Sequence, residues 1–472
     1  MNELKKEAKK EVKKEYRTAS LHNLGCKVNA YEMDVMEELL REGGYKIVPF
    51  TEPADVVIIN TCTVTNIADR KSRQMLHRAK KMNPDGVVVA VGCYVQTAAE
   101  EAMKDAGIDL CIGNNKKGEL VQILAEYLGL AAEGQQKKIP GNSTVIDINA
   151  GCAYEDMQLK KISEHTRAYI KIQDGCNQFC TYCIIPFARG RVRSRRKEEI
   201  LTEVRTLAQA GCREFVLTGI HISSYGYDLA FPEKRPMANQ FHEASLLDLL
   251  KSMDEIAGVE RIRLSSLEPR IITPEFVKGI AGIRSICPHF HLSLQSGSDS
   301  VLRRMNRQYD TADFAYRVQL LREAFDRPAI TTDIIVGFPQ ETEEEFAQTL
   351  AFAERIGFYE MHIFKYSKRK GTPAAAMSGQ LTEAQKAQRS DRLEAVEKGL
   401  SAAFRKDREG SVAEVLAEEF REVEGKRYLV GHTREYLYAA METDADLSGQ
   451  ILQVRIGSAF ADGMVHAVIL QP

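Results

Sequence analysis

Ala168-Tyr-Ile-Lys-Ile-Gln-Asp-Gly-Cys-Asn-Gln-Phe-Cys-Thr-Tyr-Cys183 is the stretch on which the fold turns. Its first six residues carry the apolar weight of a buried strand and run straight into a C-x3-C-x2-C loop holding Cys176, Cys180 and Cys183. Three sulfurs so close in sequence do not pair off as disulfides, and they fall one short of a four-ligand structural zinc site. They suit three corners of a cubane iron–sulfur cluster whose fourth iron stays open to a non-protein ligand. A zinc site completed by a distant fourth ligand is the alternative reading of the same residues.

Downstream, further strand signals follow at Glu214-Phe-Val-Leu-Thr-Gly219, Arg261-Ile-Arg-Leu-Ser-Ser266, Phe290-His-Leu-Ser-Leu-Gln295, 329–337 and 360–364. Amphipathic helical stretches such as 197–210 and 312–325 separate them. Strands alternating with helices in this way predict a full or partial β/α barrel, whose chemistry gathers at the strand carboxyl ends. The cysteine loop falls at such an end, as do Thr218, Gly219, Ser266, Glu268, Gln295 and Asp333.

Upstream, strands at 19–24, 55–60, 86–91 and 109–112 alternate with helices at 31–40, 67–81 and 97–106. That alternation predicts a Rossmann-like parallel α/β domain. Cys26, Cys62 and Cys93 each fall just past a predicted strand, where open α/β sheets bind ligands. Gly25 and Gly92 would let backbone approach a bulky group there. The three thiolates are either a second cluster site with its own open iron or three unrelated small core residues. Cys111, Cys152, Cys212 and Cys287 have no partner at ligand spacing and are expected to be structural.

A chain of 472 residues with 28% charged and 44% hydrophobic residues predicts several globular domains. The expected organisation is a charged extension at 1–17, a first domain at 18–130, a turn-rich linker at 131–165, a barrel at 166–400 and a last domain at 401–472. The lysine- and glutamate-rich start lacks the apolar core of a secretory signal, and no apolar run is long enough to span a membrane. Ten cysteines without that signal point to a reducing compartment, so the cytoplasm is expected. Beyond about Ser401, short strands punctuated by glycines predict a small antiparallel β-barrel.

The motifs resemble the methylthiotransferase branch of the radical S-adenosylmethionine enzymes. Asp174 through Arg195 (DGCNQFCTYCIIPFARGRVRSR), Asn23-Leu-Gly-Cys-Lys-Val-Asn29, Asn60-Thr-Cys-Thr-Val-Thr65, Val91-Gly-Cys-Tyr94 and Tyr366-Ser-Lys-Arg-Lys-Gly-Thr372 carry the likeness. Within the branch, Leu-Gly-Cys-Lys-Val-Asn and Tyr-Cys-Ile-Ile-Pro-Phe-Ala-Arg-Gly are most similar to the threonylcarbamoyladenosine tRNA enzymes. The isopentenyladenosine enzymes read Gly-Cys-Gln-Met-Asn, and those acting on a ribosomal protein read Gly-Cys-Pro-Lys-Asn. Gly431-His-Thr-Arg-Glu-Tyr436 resembles the TRAM module, an oligonucleotide-binding-like barrel.

The resemblance implies two [4Fe-4S] clusters. One, on Cys176, Cys180 and Cys183, binds S-adenosylmethionine and reduces it to a 5′-deoxyadenosyl radical. The other, on Cys26, Cys62 and Cys93, carries the sulfur for insertion at C2 of an adenosine beside the tRNA anticodon. It also implies an electron donor such as flavodoxin or ferredoxin, and a sulfur source. Tyr182 is expected either to flank the adenine of the cofactor or to shield the cluster. Thr218, Gly219, Ser266, Glu268 and Gln295 are expected to hold the rest of the cofactor, or else to satisfy neighbouring backbone. His221 and His291 read as ordinary hydrogen-bonded histidines. Arg189, Arg191, Arg193 and Arg195, in a basic run that continues through Arg196 and Lys197, are expected to contact RNA phosphates, with Arg434 and Arg455 on the last domain. Lys365, Lys368, Arg369 and Lys370 make a second basic group, and Tyr436 and Tyr438 are candidates for stacking on bases.

Overall fold

The computed structural model describes residues 17–132, 143–161, 166–231 and 241–470. The charged extension before Arg17 and residues 232–240 lie outside them. The chain parts into two compact units. One takes Glu32–Cys62, Ala68–Ile146 and the described residues before Cys26; the other takes Cys26–Tyr31, Thr63–Ile67 and the described residues from Asp147 on.

In the first unit, β1 (Thr18–Asn23), β2 (Lys46–Ile47), β3 (Val56–Thr61), β4 (Val87–Gly92) and β5 (Leu110–Ile112) form a wholly parallel sheet in the order β2-β1-β3-β4-β5. Every residue of β3 is buried, as a strand covered on both faces requires. The strand order reverses between β1 and β3, which puts the ligand-binding crevice of such a sheet at their carboxyl ends. The helix expected at 97–106 begins instead at Cys93 and is broken in two, Cys93–Thr97 and Ala99–Lys104. Thr97 Oγ1 donates to the carbonyls of Cys93 and Tyr94, and Ala98 leaves helical geometry at φ −136°.

In the second unit, β6 (Arg167–Asp174), β7 (Arg193–Ser194), β8 (Glu214–Gly219), β9 (Arg261–Leu264), β10 (His289–His291), β11 (Ala329–Val336) and β12 (Glu360–Lys365) follow in order. β6, β8 and β9 pair in parallel, as do β10, β11 and β12. Parallel bridges Ile262↔Ile286 and Leu267↔Leu292 join the two sets, so six parallel strands make one arc in sequence order. β7 pairs antiparallel with the end of β6. Among the described residues no ladder joins β12 to β6, so the arc is not closed.

β13 (Val412–Val423), β14 (Lys426–Thr433), β15 (Tyr438–Met441), β16 (Ile451–Ala459) and β17 (Val465–Ile469) close a barrel in the order β13-β14-β15-β17-β16. An all-antiparallel barrel was expected, but β15 and β17 run parallel. Alternating directions cannot close around an odd number of strands, so one like-directed pair is required. This barrel sits in the same unit as the arc rather than apart from it. Arg261 donates to the carbonyls of His432 and Glu414 at 2.9 Å, and Arg263 to those of Arg434 and Thr433 at 3.0 and 3.2 Å.

The expected linker is also partly absorbed. Met157 and Leu159 are buried, the Leu159 amide donates to Glu203 at 2.8 Å, and Tyr154 Oη donates to the Lys171 carbonyl at 3.0 Å.

Candidate active site

The cysteine loop is clasped at its base. β6 and β7 pair through Gln173↔Ser194 and Asp174↔Arg193, and the Cys176 amide donates to the Gly190 carbonyl at 3.0 Å. Gly175 holds φ +75°, and a Cβ there would lie 1.9 Å from the Arg191 carbonyl oxygen, so only glycine fits the turn. Within the loop the Cys183 amide donates to the Cys180 carbonyl at 3.0 Å, and the Gln178 amide to Cys176 Sγ at 3.4 Å. Arg307 Nη1 donates to Cys180 Sγ at 3.3 Å. Burial, then the neighbouring Cys180, pushes the Cys176 thiol up to about 12; the same two causes, with Cys176 added, push Cys183 up as well. Thiols in this setting lose their protons to a metal that binds them rather than to solvent.

The three sulfurs line a cavity of about 690 Å³. Tyr182, Thr218, Gly219, Ser266, Glu268 and Gln295 all line it too, so the strand-end residues singled out above converge on one space. Gln295 is held at φ +72°, between its amide donating to the Asp333 carbonyl at 2.8 Å and its carbonyl accepting from Ile335 at 2.9 Å. Such backbone strain clusters at binding sites. The Glu268 carboxylate accepts from the Arg270 amide and Nε at 3.0 and 2.7 Å. Tyr182 lines the cavity while packing against the apolar side chains of Val301, Met305, Phe338 and Tyr366. His221 hydrogen-bonds Ser224 at 2.7 Å, and burial followed by the charges of Arg307 and Arg270 drives its pKa down to about 3, leaving it neutral.

His289, His291, Thr331, His362 and Arg307, which no local motif marks, line the same cavity, together with Asp333, Cys26, Lys27 and Tyr436. His291 Nδ1 meets Thr331 Oγ1 at 3.1 Å, and its Nε2 lies 3.3 Å from Asp333 Oδ2. The His291 and His362 rings stack at 5.6 Å. Tyr436, reaching in from the C-terminal barrel, stacks on His289 at 4.6 Å and on His432 at 4.5 Å. Its faces serve the protein interior, not a free base-stacking platform.

Cys62 and Cys93 follow the last residues of neighbouring β3 and β4 in the first unit. The Cys62 amide donates to Ser72 Oγ at 3.2 Å, and Cys93 Sγ accepts from Asn114 at 3.5 Å. Gly92 holds φ +98°, and an added Cβ would meet Asn60 Oδ1 at 2.6 Å, so the glycine is demanded by the adjacent strand itself. Lys117, fully buried, pairs with Glu32 and donates to Asn60 at 3.2 Å beside these strand ends. In the second unit Cys26 is exposed, with Asn29 Oδ1 3.9 Å from its sulfur.

The basic run requires a correction. Arg189 and Arg195 are fully buried and Arg193 nearly so. Asp174 takes Lys171 at 2.7 Å, Arg189 at 3.3 Å and Arg193 at 3.8 Å, while Arg195 pairs with Glu203 and, at 3.1 Å, Asp156. A buried guanidinium persists only when paired, and these are spent on the clasp rather than on phosphates. Arg191 alone of the four is exposed, lying over the Phe179 ring at 4.4 Å. Arg434 donates to the Arg284 and Ile286 carbonyls at 2.6 and 2.8 Å, bracing the barrel; Arg455 is exposed. Lys365, Lys368 and Lys370 are exposed, whereas Arg369 is buried against Asn66 and Thr63 at 2.7 Å.

Residues 170–353 match the radical SAM superfamily, and residues 18–113 match Uncharacterized protein family UPF0004. The structure is similar in fold to the radical S-adenosylmethionine methyltransferase TsrM from Kitasatospora setae with cobalamin and a [4Fe-4S] cluster bound, with a TM-score of 0.54 at 16% identity, over 76% of this chain and 74% of that one. Arc and cysteine loop together define a radical S-adenosylmethionine enzyme. Threonylcarbamoyladenosine tRNA methylthiotransferase MtaB of Bacillus subtilis is 41% identical over 96% of this chain and 97% of its own length. The Thermotoga maritima protein of the same name is 34% identical over 95% and 96%, and the tRNA-2-methylthio-N(6)-dimethylallyladenosine synthase of Desulfitobacterium hafniense 36% identical over 92% and 94%. The chain belongs to the radical S-adenosylmethionine tRNA methylthiotransferase family.

That family uses S-adenosylmethionine and a [4Fe-4S] cluster, and the residues present fit both. Three buried or half-buried sulfurs on one loop would give a cluster three of its four ligands, and they line a cavity of about 690 Å³.

Proposed function

We propose that this chain inserts a methylthio group at C2 of N6-threonylcarbamoyladenosine at position 37 of tRNA. The observation that carries the reading is full-length similarity to relatives bearing that name, joined to a cavity that Cys26 and the loop cysteines line together. The cluster on Cys176, Cys180 and Cys183, when bound, supplies the electron that cleaves S-adenosylmethionine. Arg307 sets the charge beside Cys180, Gln295 and Glu268 present polar groups to the cofactor, and the Thr218–Gly219 strand end offers backbone. Tyr182 keeps water from the loop.

A second [4Fe-4S] cluster, held by Cys26, Cys62 and Cys93, would carry the sulfur to be inserted. Their positions just past β1, β3 and β4 support this assignment. The C-terminal barrel reads as a TRAM module, and its exposed Arg455, with Arg191, Lys365, Lys368 and Lys370, offers phosphate contacts. Among the described residues no helix is long and apolar enough to cross a membrane. The cytoplasm is the proposed setting, with flavodoxin or ferredoxin as electron donor and a separate sulfur source.

The test uses anaerobically reconstituted protein, S-adenosylmethionine, reductant and tRNA, with nucleosides read by mass spectrometry. The expected product is 2-methylthio-N6-threonylcarbamoyladenosine. Methylthiolation of dimethylallyladenosine tRNA alone would transfer the reading to the other relatives, and absence of 5′-deoxyadenosine would remove it.

A further inference from the structure

We propose that Lys27 selects the threonylcarbamoyl side chain by taking its carboxylate, with His291, Asp333 and His362 completing the subsite. The inference rests on the threonylcarbamoyl reading above and assigns the residues that enforce it. The side chain on such an adenosine ends in a carboxylate and also carries a hydroxyl and urea N–H groups; a dimethylallyl chain carries none of these.

The cavity wall matches the first chemistry. Lys27 lines it, and among the described residues it makes no ion pair. Lys27, His289, His291, Asp333 and His362 all line this one cavity, so the five groups share one wall. Asp333 Oδ2 lies 3.3 Å from His291 Nε2, and among the described residues no carboxylate stands within ion-pair distance of the Lys27 ammonium. The Asp333 carboxylate can accept from the ligand hydroxyl or a urea N–H, and the exposed His362 ring can donate or accept. A carboxylate gains a charge-assisted hydrogen bond here. An apolar prenyl chain would strip water from an ammonium, two imidazoles and a carboxylate and return no partner to any of them.

The experiment uses the full-length reconstituted protein and two anticodon stem-loop RNAs. One bears threonylcarbamoyladenosine with its free carboxylate, the other its methyl ester. The measured quantity is the acid-to-ester ratio of kcat/KM, which is internal to each protein and so is unaffected by a fraction lacking clusters. The wild type is expected to prefer the acid at least about tenfold, the size of one charged hydrogen bond. In Lys27→Met the ratio falls toward one, mainly through a raised KM for the acid, and Lys27→Arg restores it. A Lys27→Met protein keeping the wild-type ratio, or a wild type with no preference, overturns the proposal and leaves the substrate assignment standing. A wild type inert on both RNAs but active on dimethylallyladenosine RNA overturns the substrate assignment as well.

Discussion

Arg263 Nε donates to Glu214 Oε1 at 2.8 Å inside the arc, and the same guanidinium holds the Thr433 and Arg434 carbonyls of the C-terminal barrel. Burial alone would raise the Glu214 carboxyl, but Arg263, Arg167 and Arg261 outweigh it and hold it at about 2. A depressed carboxyl pKa adds stability above its unfolded value and loses it as pH falls through the folded one. Glu214→Gln is therefore expected to cost about 3–5 kcal/mol at neutral pH, as removing one partner of a buried pair does. It should also flatten the acid loss of stability between about pH 4.5 and 2. Urea unfolding at several pH values measures both, and an unchanged acid limb in the variant contradicts the assignment.

Arg191 and Arg195 differ in burial and are expected to differ in kind. Arg191→Ala should weaken tRNA binding and lower the salt slope by about one, leaving the melting temperature unchanged. Arg195→Ala should destabilise the fold by about 3–5 kcal/mol, because Glu203 is left buried without its cation. Filter binding across a salt series, beside thermal unfolding, separates the two. Equal melting temperatures would refute the clasp role of Arg195.

Cys180→Ala is expected to abolish 5′-deoxyadenosine formation. Cys62→Ala is expected to spare that cleavage and stop sulfur insertion. Chromatography of the adenosine product and mass spectrometry of the RNA read the two steps separately. Loss of both activities in a well-folded Cys62→Ala protein would contradict the division of labour.

Arg307 places a positive charge 3.3 Å from Cys180 Sγ. Arg307→Met should make the loop cluster harder to reduce, by on the order of 60 mV, the one-electron equivalent of a tenfold change in equilibrium. Cofactor cleavage should slow accordingly. A potentiometric titration followed by electron paramagnetic resonance gives the shift, and an unmoved potential would show that the guanidinium acts on packing alone.

The cysteine loop and the strands around it were legible because their signals are local: a thiol spacing, an apolar run, a turn residue. Thr218, Ser266 and Gln295 could be placed at one mouth because parallel strands bring their carboxyl ends together whatever the loops contain. Arg307 could not, since it lies beyond the short helix Asp299–Arg304 and meets Cys180 only through tertiary packing. The basic run misled for the same reason. Arg195 has Glu203 eight positions on and Asp156 far upstream, so a stretch that looks solvated by composition is neutralised in the interior. His362 and His291 carry no mark in sequence and acquire one only by facing each other across β11.

The closure of the cysteine loop has a consequence for protein engineering. The sulfurs owe their positions to Asp174, Gly175, Arg189 and Arg193 as much as to their own spacing. A graft of the eight residues from Cys176 to Cys183 onto another scaffold would carry the ligands without the hinge pin that aims them. The smallest portable cassette runs from Asp174 to Arg195, and a host must supply its own counterpart to Glu203.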